Sequence, residues 1–330
     1  MPNRDRPRIV VTRPSLPGDA LEALAADFEV VRRQESGPAT AAEVAELVRD
    51  ADALVSVAQD ELSAEVSKAG QYLRAVGSFG VGLDRCDLPA FTDAGIPVGN
   101  TPGAVTESTA DMTWMLILGA ARRLPEALAE FADGEWPGQD LHGLLGLELS
   151  RATIGIVGYG AIGQAVARRA RGFGMTVHHY ARTQASDEVS TWLPLEELLA
   201  TSDVVSVHTP LTPETRSLIG ADAFAAMKTS AILVNTSRGP VVDQDALVQA
   251  LRAGEIAGAG LDVTDPEPIP LDHPLVSMPN CLITPHIGSA TRWTRGEMTA
   301  RCAANVRAGL AGEPMPWCAN PEVYEGSGSR

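Results

Sequence analysis

The stretch Thr153-Ile-Gly-Ile-Val157 runs directly into Gly158-Tyr-Gly160-Ala161-Ile162-Gly163 and then into an Ala- and Arg-rich segment. A GxGxxG spacing alone is weak, because any tight turn can produce it. Here it follows an apolar strand and opens a helix with Ile162, Ala165 and Val166 at helical spacing, which restricts the segment to a strand–turn–helix unit. The first glycine permits the tight turn, and the second lets backbone approach a pyrophosphate. The third lets helix and strand pack, with the phosphates at the helix N-terminus near Ala161 and Ile162. A glycine turn without a ligand is the competing reading, and the strand–helix context disfavours it.

The alternation of strand and helix extends in both directions. Before the glycines, Arg8–Val11, Glu29–Val31, Ala53–Val57, Arg74–Phe79 and Ile96–Asn100 read as strands. Helical patterns near Leu21–Asp27, Ala39–Arg49 and Ser63–Ala69 separate them. After the glycines come strands Met175–Tyr180, Val204–His208, Ala231–Asn235, Gly258–Val263 and Leu282–Thr284, with helices Leu195–Ala200, Ala221–Met227 and Asp245–Ala253. Short β-rich runs joined by helices imply parallel sheets. Between the two series, the segment after Pro102 reads as one long buried helix ending at Arg122-Arg123, followed by a loop over Gly134–Ser150. The last helix, Arg295–Leu310, is expected to return to the first domain. A length of 330 residues suits two domains.

Hydrophobic residues at 45% and charged residues at 21% are ordinary for a globular chain. The formal charge of −16 argues against non-specific nucleic-acid or membrane binding, which needs clustered Lys and Arg. Cys86, Cys281, Cys302 and Cys318 lie far apart without CxxC pairs or zinc-like His spacing, so neither a disulfide framework nor a metal site is expected. The start lacks an apolar run long enough for a signal peptide. Trp114–Ala121 is too short to span a bilayer. A cytoplasmic location follows as the expectation.

Dinucleotide binders that prefer NAD carry Asp or Glu about 20 residues past the glycines, to hold the ribose 2′-hydroxyl. Here the strand ends in Ala181-Arg182-Thr183. Arg182 would pair with a 2′-phosphate and Thr183 would add a hydroxyl, so NADP(H) is the expected cofactor and NAD(H) the alternative. The competing reading is that Arg182 is a solvated cation and Asp187 or Glu188 swings back to the ribose.

Arg238, Glu267 and His286 form a third signal. Arg238 and His286 each follow a strand of the second series, where ligands of open parallel sheets collect. Reduction of a 2-oxo acid needs a cation for the carboxylate, a proton donor for the developing alkoxide, and a hydride. Arginine meets the first need with its planar fork, and histidine meets the second because it titrates near neutral pH. A carboxylate on the other imidazole nitrogen fixes its tautomer and favours the protonated form. Singly, each is equally readable as a loop cation, a solvated acid or a satisfied histidine. Their order and context join them.

These motifs, with VGSFGVGLDRCDL, TSRGPVVDQDALVQAL, GAGLDVTDPEP and TPHIGSAT, resemble the D-isomer-specific 2-hydroxyacid dehydrogenase family. GLDVTDPEP, HPL and AGLAGEPMP are similar to its glyoxylate reductase/hydroxypyruvate reductase branch. The resemblance implies two flavodoxin/Rossmann-like doubly wound parallel-sheet domains with a cleft between them. Residues 103–290 would be the dinucleotide-binding domain, and 1–102 with 291–330 a discontinuous substrate-binding domain. It implies that Arg238 binds substrate, that His286 is the acid/base and that Glu267 is its partner. Val81 and Gly82 would grip the substrate carboxylate through backbone N–H groups. Asp262 would lie near the nicotinamide carboxamide, with Thr209, Pro210, Thr236, Ser237 and Gly288 also near the cofactor. It further implies a homodimer joined through the cofactor domains.

Three departures from relatives narrow the reading. Gln139 stands where eukaryotic members carry an aromatic, phosphite dehydrogenases have Lys at the place of Val81, and formate dehydrogenases have Gln at the place of Glu267. No C-terminal regulatory domain is expected after Pro316. The leading expectation is reduction of glyoxylate or hydroxypyruvate to the D-2-hydroxy acid. A dehydrogenase for a bulkier D-2-hydroxy acid and a non-enzymatic dinucleotide sensor are the alternatives.

Overall fold

The computed structural model describes residues 6–134, 136, 138 and 140–325. The chain divides into two compact units, Met1–Val105 with Ala290–Arg330, and Thr106–Ser289. The expectation from the sequence puts the divides at 102/103 and 290/291.

The first unit begins β1 (Arg8–Val11), α1 (Ala20–Leu24), β2 (Glu29–Arg32), α2 (Ala41–Val48) and β3 (Ala53–Val57). It continues through α3 (Ala64–Ala69), β4 (Ala75–Phe79), α4 (Leu88–Asp93) and β5 (Val98–Gly99). All strand pairs are parallel, in the order β2-β1-β3-β4-β5. That is the flavodoxin order. β3 and β4 are nearly continuous apolar runs because both sheet faces are covered. Val10, Leu54, Val76 and Val98 pack on Val44, Val66 and Phe91 on one face. On the other, Ile9, Val11 and Ala75 meet Leu21, Cys302 and Val306.

Helix starts follow local chemistry. Thr40 and Glu43 form a capping box on α2, and Ser63 and Asp87 cap α3 and α4 with their side chains. Asp60, 1% exposed, ties the carboxyl ends of β1 and β3 together. It accepts from Thr12 Oγ1 at 2.5 Å, Arg13 Nη1 at 2.8 Å and the Val57 amide at 2.9 Å. The open edge of β5 is closed by the tail, where Gly99 bridges Cys318 antiparallel and Asn320 Oδ1 accepts the Val98 amide at 2.8 Å. Closing an edge in this way removes unpaired backbone groups.

The second unit opens with α5 (Thr106–Ala121), α6 (Leu124–Ala132), β6 (Thr153–Val157), α7 (Ala161–Gly172), β7 (Thr176–Tyr180) and β8 (Thr191–Trp192). Then come α8 (Leu195–Thr201), β9 (Val204–Val207), α9 (Ala221–Ala226), β10 (Ile232–Asn235) and α10 (Gln244–Ala253). β11 (Gly258–Leu261), α11 (Pro274–Ser277) and β12 (Cys281–Ile283) complete it, and α12 (Arg292–Ala311) belongs to the first unit. The order β12-β11-β10-β9-β6-β7-β8 is parallel throughout. It is the Rossmann arrangement with one added strand. Its connections reverse direction between β6 and β9, and ligands of such sheets bind at the carboxyl ends of those strands.

One expectation is corrected. The segment after Pro102 forms two helices rather than one, because Arg123 adopts a left-handed φ of 53° and Pro125 opens α6. The double arginine marks the break between them. Among the described residues, no helix is long and apolar enough to cross a membrane.

Candidate active site

The glycine loop lies at the reversal point of the second sheet. Gly158, at φ 99°, follows β6, and a Cβ there would come within 2.7 Å of the His208 carbonyl carbon and 2.8 Å of the Thr209 nitrogen. Only glycine permits that approach. Gly163 sits so close to the Gly158 carbonyl that a Cβ would be 2.2 Å from its oxygen. Gly160 is the N-cap of the 12-residue α7, with Ala161 and Ile162 in the first turn and open space around it. Thr209 Oγ1 is buried with no hydrogen-bond partner among the described residues. A bound anion approached closely by backbone, at a helix N-terminus and with an unused hydroxyl beside it, fits this cradle. Pro210 follows, its carbonyl accepting Thr215 Oγ1 at 2.6 Å.

At the end of β7, Arg182 and Thr183 are exposed. Of the two acids in the competing reading, Asp187 and Glu188, the first is committed elsewhere. Asp187 Oδ1 accepts the amides of Val189 at 2.8 Å and Ser190 at 2.7 Å, and its Oδ2 accepts Tyr159 Oη at 2.9 Å. The Tyr159 ring in turn stacks on His179 at 3.8 Å. Glu214 faces the same region. Its carboxyl is held below the ordinary range by the Thr212 hydroxyl and a backbone N–H, with a contribution from the charge of Arg182.

His208, at the end of β9, hydrogen-bonds Ser206 Oγ through Nε2 at 2.8 Å, while its Nδ1 is buried without a partner among the described residues. Burial pushes its pKa down to about 3. The folded state therefore takes up its proton later than the unfolded chain as pH falls, so stability is lost below an unfolded pKa of about 6.5. Between about pH 7.5 and 5.5 this group should cost about 1.4 kcal/mol, a loss that His208→Gln should not show. Urea unfolding of both proteins at the two pH values measures it. Equal losses would remove His208 as the source.

The three residues expected to carry chemistry lie in this same unit, and two touch. His286 Nδ1 meets Glu267 Oε1 at 2.5 Å. Burial pushes the Glu267 carboxyl up, but the hydrogen bond and charge of His286, a backbone bond from Thr264 and the charge of Arg238 together hold the acid below its ordinary range. His286 occupies a left-handed φ of 53° on the turn after β12. Asp262, 2% exposed, clamps that turn. Its Oδ1 accepts Thr284 Oγ1 at 2.7 Å and the Ile287 amide at 2.8 Å, and its Oδ2 accepts the Gly288 amide at 2.7 Å.

Arg238 follows β10 in extended conformation, with Nη1 on the Ser237 carbonyl at 2.8 Å. Asn235 shapes this turn. Its Oδ1 accepts the amide and hydroxyl of Ser237 at 3.0 and 2.8 Å, and its Nδ2 donates to the Arg238 carbonyl at 2.9 Å. Thr236 Oγ1 pairs with Thr113 Oγ1 at 2.8 Å.

Val81 and Gly82 belong to the first unit, on the loop after β4. Among the described residues their amide N–H groups donate to no group of the chain. Gln139 lies outside the described residues. From sequence, Asp262 and Asp187 are named but not the hydrogen bonds by which they clamp and lock their turns, and Asn235 is not named. For Asn235, the last residue of β10, and Asp262, the first after β11, an amide or carboxylate at the carboxyl end of a strand is the available signal.

Residues 114–288 match the family described as D-isomer specific 2-hydroxyacid dehydrogenase, NAD binding domain. Residues 8–29 also match the description leucine rich repeat variant, although they form β1, α1 and the first residue of β2, and β1 and β2 pair in a parallel sheet. A glyoxylate reductase from Korarchaeum cryptofilum is 45% identical over 97% of this chain and 98% of its own length. The glyoxylate reductase/hydroxypyruvate reductase of Homo sapiens is 42% identical, over 94% of this chain and 96% of its own length. Among solved structures, an NADPH-dependent glyoxylate/hydroxypyruvate reductase from Sinorhizobium meliloti, in complex with NADP and malonate, matches with a TM-score of 0.84. Its identity is 34%, over 96% of this chain and 98% of that one.

Proposed function

Because the chain belongs to the D-isomer specific 2-hydroxyacid dehydrogenase family, we propose that it reduces glyoxylate and hydroxypyruvate to the D-2-hydroxy acids with NADPH. The observation that carries this reading is the 2.5 Å contact of His286 Nδ1 with Glu267, under the charge of Arg238. An ionised carboxylate only accepts, so Nδ1 carries a hydrogen and Nε2 is left to hold the proton that moves. The nicotinamide, when bound, supplies the hydride that ends on the carbonyl carbon. His286 Nε2 delivers its proton to the carbonyl oxygen as that oxygen gains the electron pair of the carbonyl π bond. Arg238 pairs with the substrate carboxylate, and in the first unit the unused amides of Val81 and Gly82 are N–H donors for a carboxylate. Gly158, Gly160, Gly163 and the start of α7 would cradle the pyrophosphate, with Thr209 beside it. The second unit thus carries the groups for a dinucleotide, and each unit by itself offers groups that suit a carboxylate.

The preference for NADPH rests on Arg182 and on the commitment of Asp187 to three hydrogen bonds of its own. Losing a charge-assisted contact is worth about 1.5–3 kcal/mol. Arg182→Ala should therefore lower the NADPH-to-NADH efficiency ratio by about tenfold or more. Oxidation of NADPH and NADH across a panel of 2-oxo acids tests the reading. Rapid turnover of glyoxylate and hydroxypyruvate with NADPH supports it. Turnover of bulkier acids alone moves the substrate assignment, and turnover with NADH alone moves the cofactor. NADPH binding with no turnover leaves the sensor.

The chain is further assigned as a homodimer. Every residue of α6 is at least partly exposed, and Leu128 and Phe131 on it are 58% and 67% exposed. A solution mass near 34.7 kDa, that of one chain, would contradict the assignment. Four free cysteines support a reducing cytoplasm.

A further inference from the structure

The first unit carries a hydrogen-bond relay that ends on the two peptides flanking Val81. Asn305 on α12 is fully buried. Its Oδ1 accepts the Trp317 amide at 3.0 Å, and its Nδ2 donates to the Asn100 carbonyl at 3.0 Å. The Asn100 amide donates to the Trp317 carbonyl at 3.1 Å. The backbone of Asn100 is thereby held on both sides by the C-terminal segment, whatever side chain it bears.

From this fixed base, two successive carbonyls of the loop after β4 are drawn to the same place. The Gly80 carbonyl accepts the Thr101 amide at 3.0 Å. The Val81 carbonyl accepts Asn100 Nδ2 at 2.8 Å. A trans peptide is planar, with C=O and N–H pointing in opposite directions. The Gly80 carbonyl shares its plane with the Val81 N–H, and the Val81 carbonyl shares its plane with the Gly82 N–H. With both carbonyls turned toward 100–101, both N–H groups point away from it, side by side. Among the described residues neither has an acceptor. Two adjacent, parallel and unused N–H groups make an anion-binding concavity.

The first of these carbonyls is held by backbone, so any residue at position 101 other than proline could hold it. The second is held by a side chain, and that makes residue identity matter at position 100. We propose that Asn100 is a positioning residue for substrate selection. By holding the Val81 carbonyl it aims the Gly82 N–H at the carboxylate of a 2-oxo acid, and the site thereby favours carbonyl compounds that carry an adjacent carboxylate. This rests on the reading of Val81 and Gly82 as the carboxylate grip. Asparagine suits the task because its amide donates, whereas an aspartate there would set a carboxylate against the carbonyl oxygen.

The test is Asn100→Leu, which keeps the approximate shape and adds no charge, with Asn100→Ala as the second variant. Both keep the backbone bonds to Trp317 and Asn305. Misaligning one of two amide contacts to a carboxylate should raise KM for the 2-oxo acid about tenfold. The KM for the reduced cofactor, kcat and the melting temperature should stay within about twofold, twofold and two degrees of wild type. An acid KM within twofold of wild type in a folded variant overturns the proposal. So do equal rises in the KM values of acid and cofactor, which a merely structural role predicts. A wild-type protein that turns over no 2-oxo acid would instead defeat the underlying functional reading. An active wild type with insensitive variants defeats only the role of Asn100.

Discussion

Replacing His286 by Asn will leave the fold and cofactor affinity in place and lower kcat by about 10³-fold, within the range attributed to positioned general acids. Asn is the informative replacement for a backbone reason. His286 has φ 53°, a region that non-glycine residues rarely occupy and that asparagine tolerates well. The turn itself is held from outside by Asp262, through Thr284, Ile287 and Gly288, and none of these bonds uses the imidazole. The variant thus removes the proton donor and little else. It also removes the hydrogen bond and charge that hold the Glu267 carboxyl low, so that acid must titrate at higher pH than in wild type. Single-turnover reduction, a cofactor titration and a melting curve together decide the matter. A kcat within tenfold of wild type, in a protein with unchanged melting temperature, would take His286 out of the proton transfer.

Much of this was legible because it is local. Ala53–Val57 and Thr153–Val157 are apolar runs whose strand bounds the structure reproduces to the residue. The glycine spacing gave α7 and its N-terminus, and the strand–helix alternation gave two parallel sheets. What escaped depends on distance along the chain or on a single dihedral. Helix α6 was missed because the break rests on one left-handed residue, Arg123, and an Arg-Arg pair equally well ends a helix. The resemblance implies a cofactor role for Asp262, but its hold on the His286 turn exists only once the chain brings Ile287 and Gly288 back to it. The edge of β5 is closed by Cys318 and Asn320, more than two hundred residues later, and no periodicity signals such a pairing. Even the triad was legible only as two residues after strands, Arg238 and His286, and an acid between prolines, Glu267. That Glu267 reaches His286 at 2.5 Å is a property of the folded loops.

Arg238→Ala will lower kcat/KM for the 2-oxo acid by about 10²–10³-fold, because truncating one partner of a hydrogen-bonded charge pair costs about 2–5 kcal/mol. The backbone should survive the change. Asn235 Nδ2 holds the Arg238 carbonyl, and Gly239 lies against Thr264 so closely that a Cβ would sit 2.0 Å from the Thr264 oxygen. Neither contact involves the guanidinium. Arg238→Lys separates charge from geometry. It keeps the cation but loses the planar fork, so it should fall between wild type and Ala, about tenfold below wild type. A second consequence distinguishes a site role from a loop role. The charge of Arg238 helps hold Glu267 low, and without it the carboxyl protonates at higher pH. Glu267 is then neutralised earlier as pH falls, and the acidic limb of kcat/KM shifts upward in the Ala variant but not in the Lys variant. Efficiency within a few-fold of wild type would return Arg238 to an ordinary loop cation. A large loss without the shifted limb would leave it the substrate carboxylate and free Glu267 from its influence.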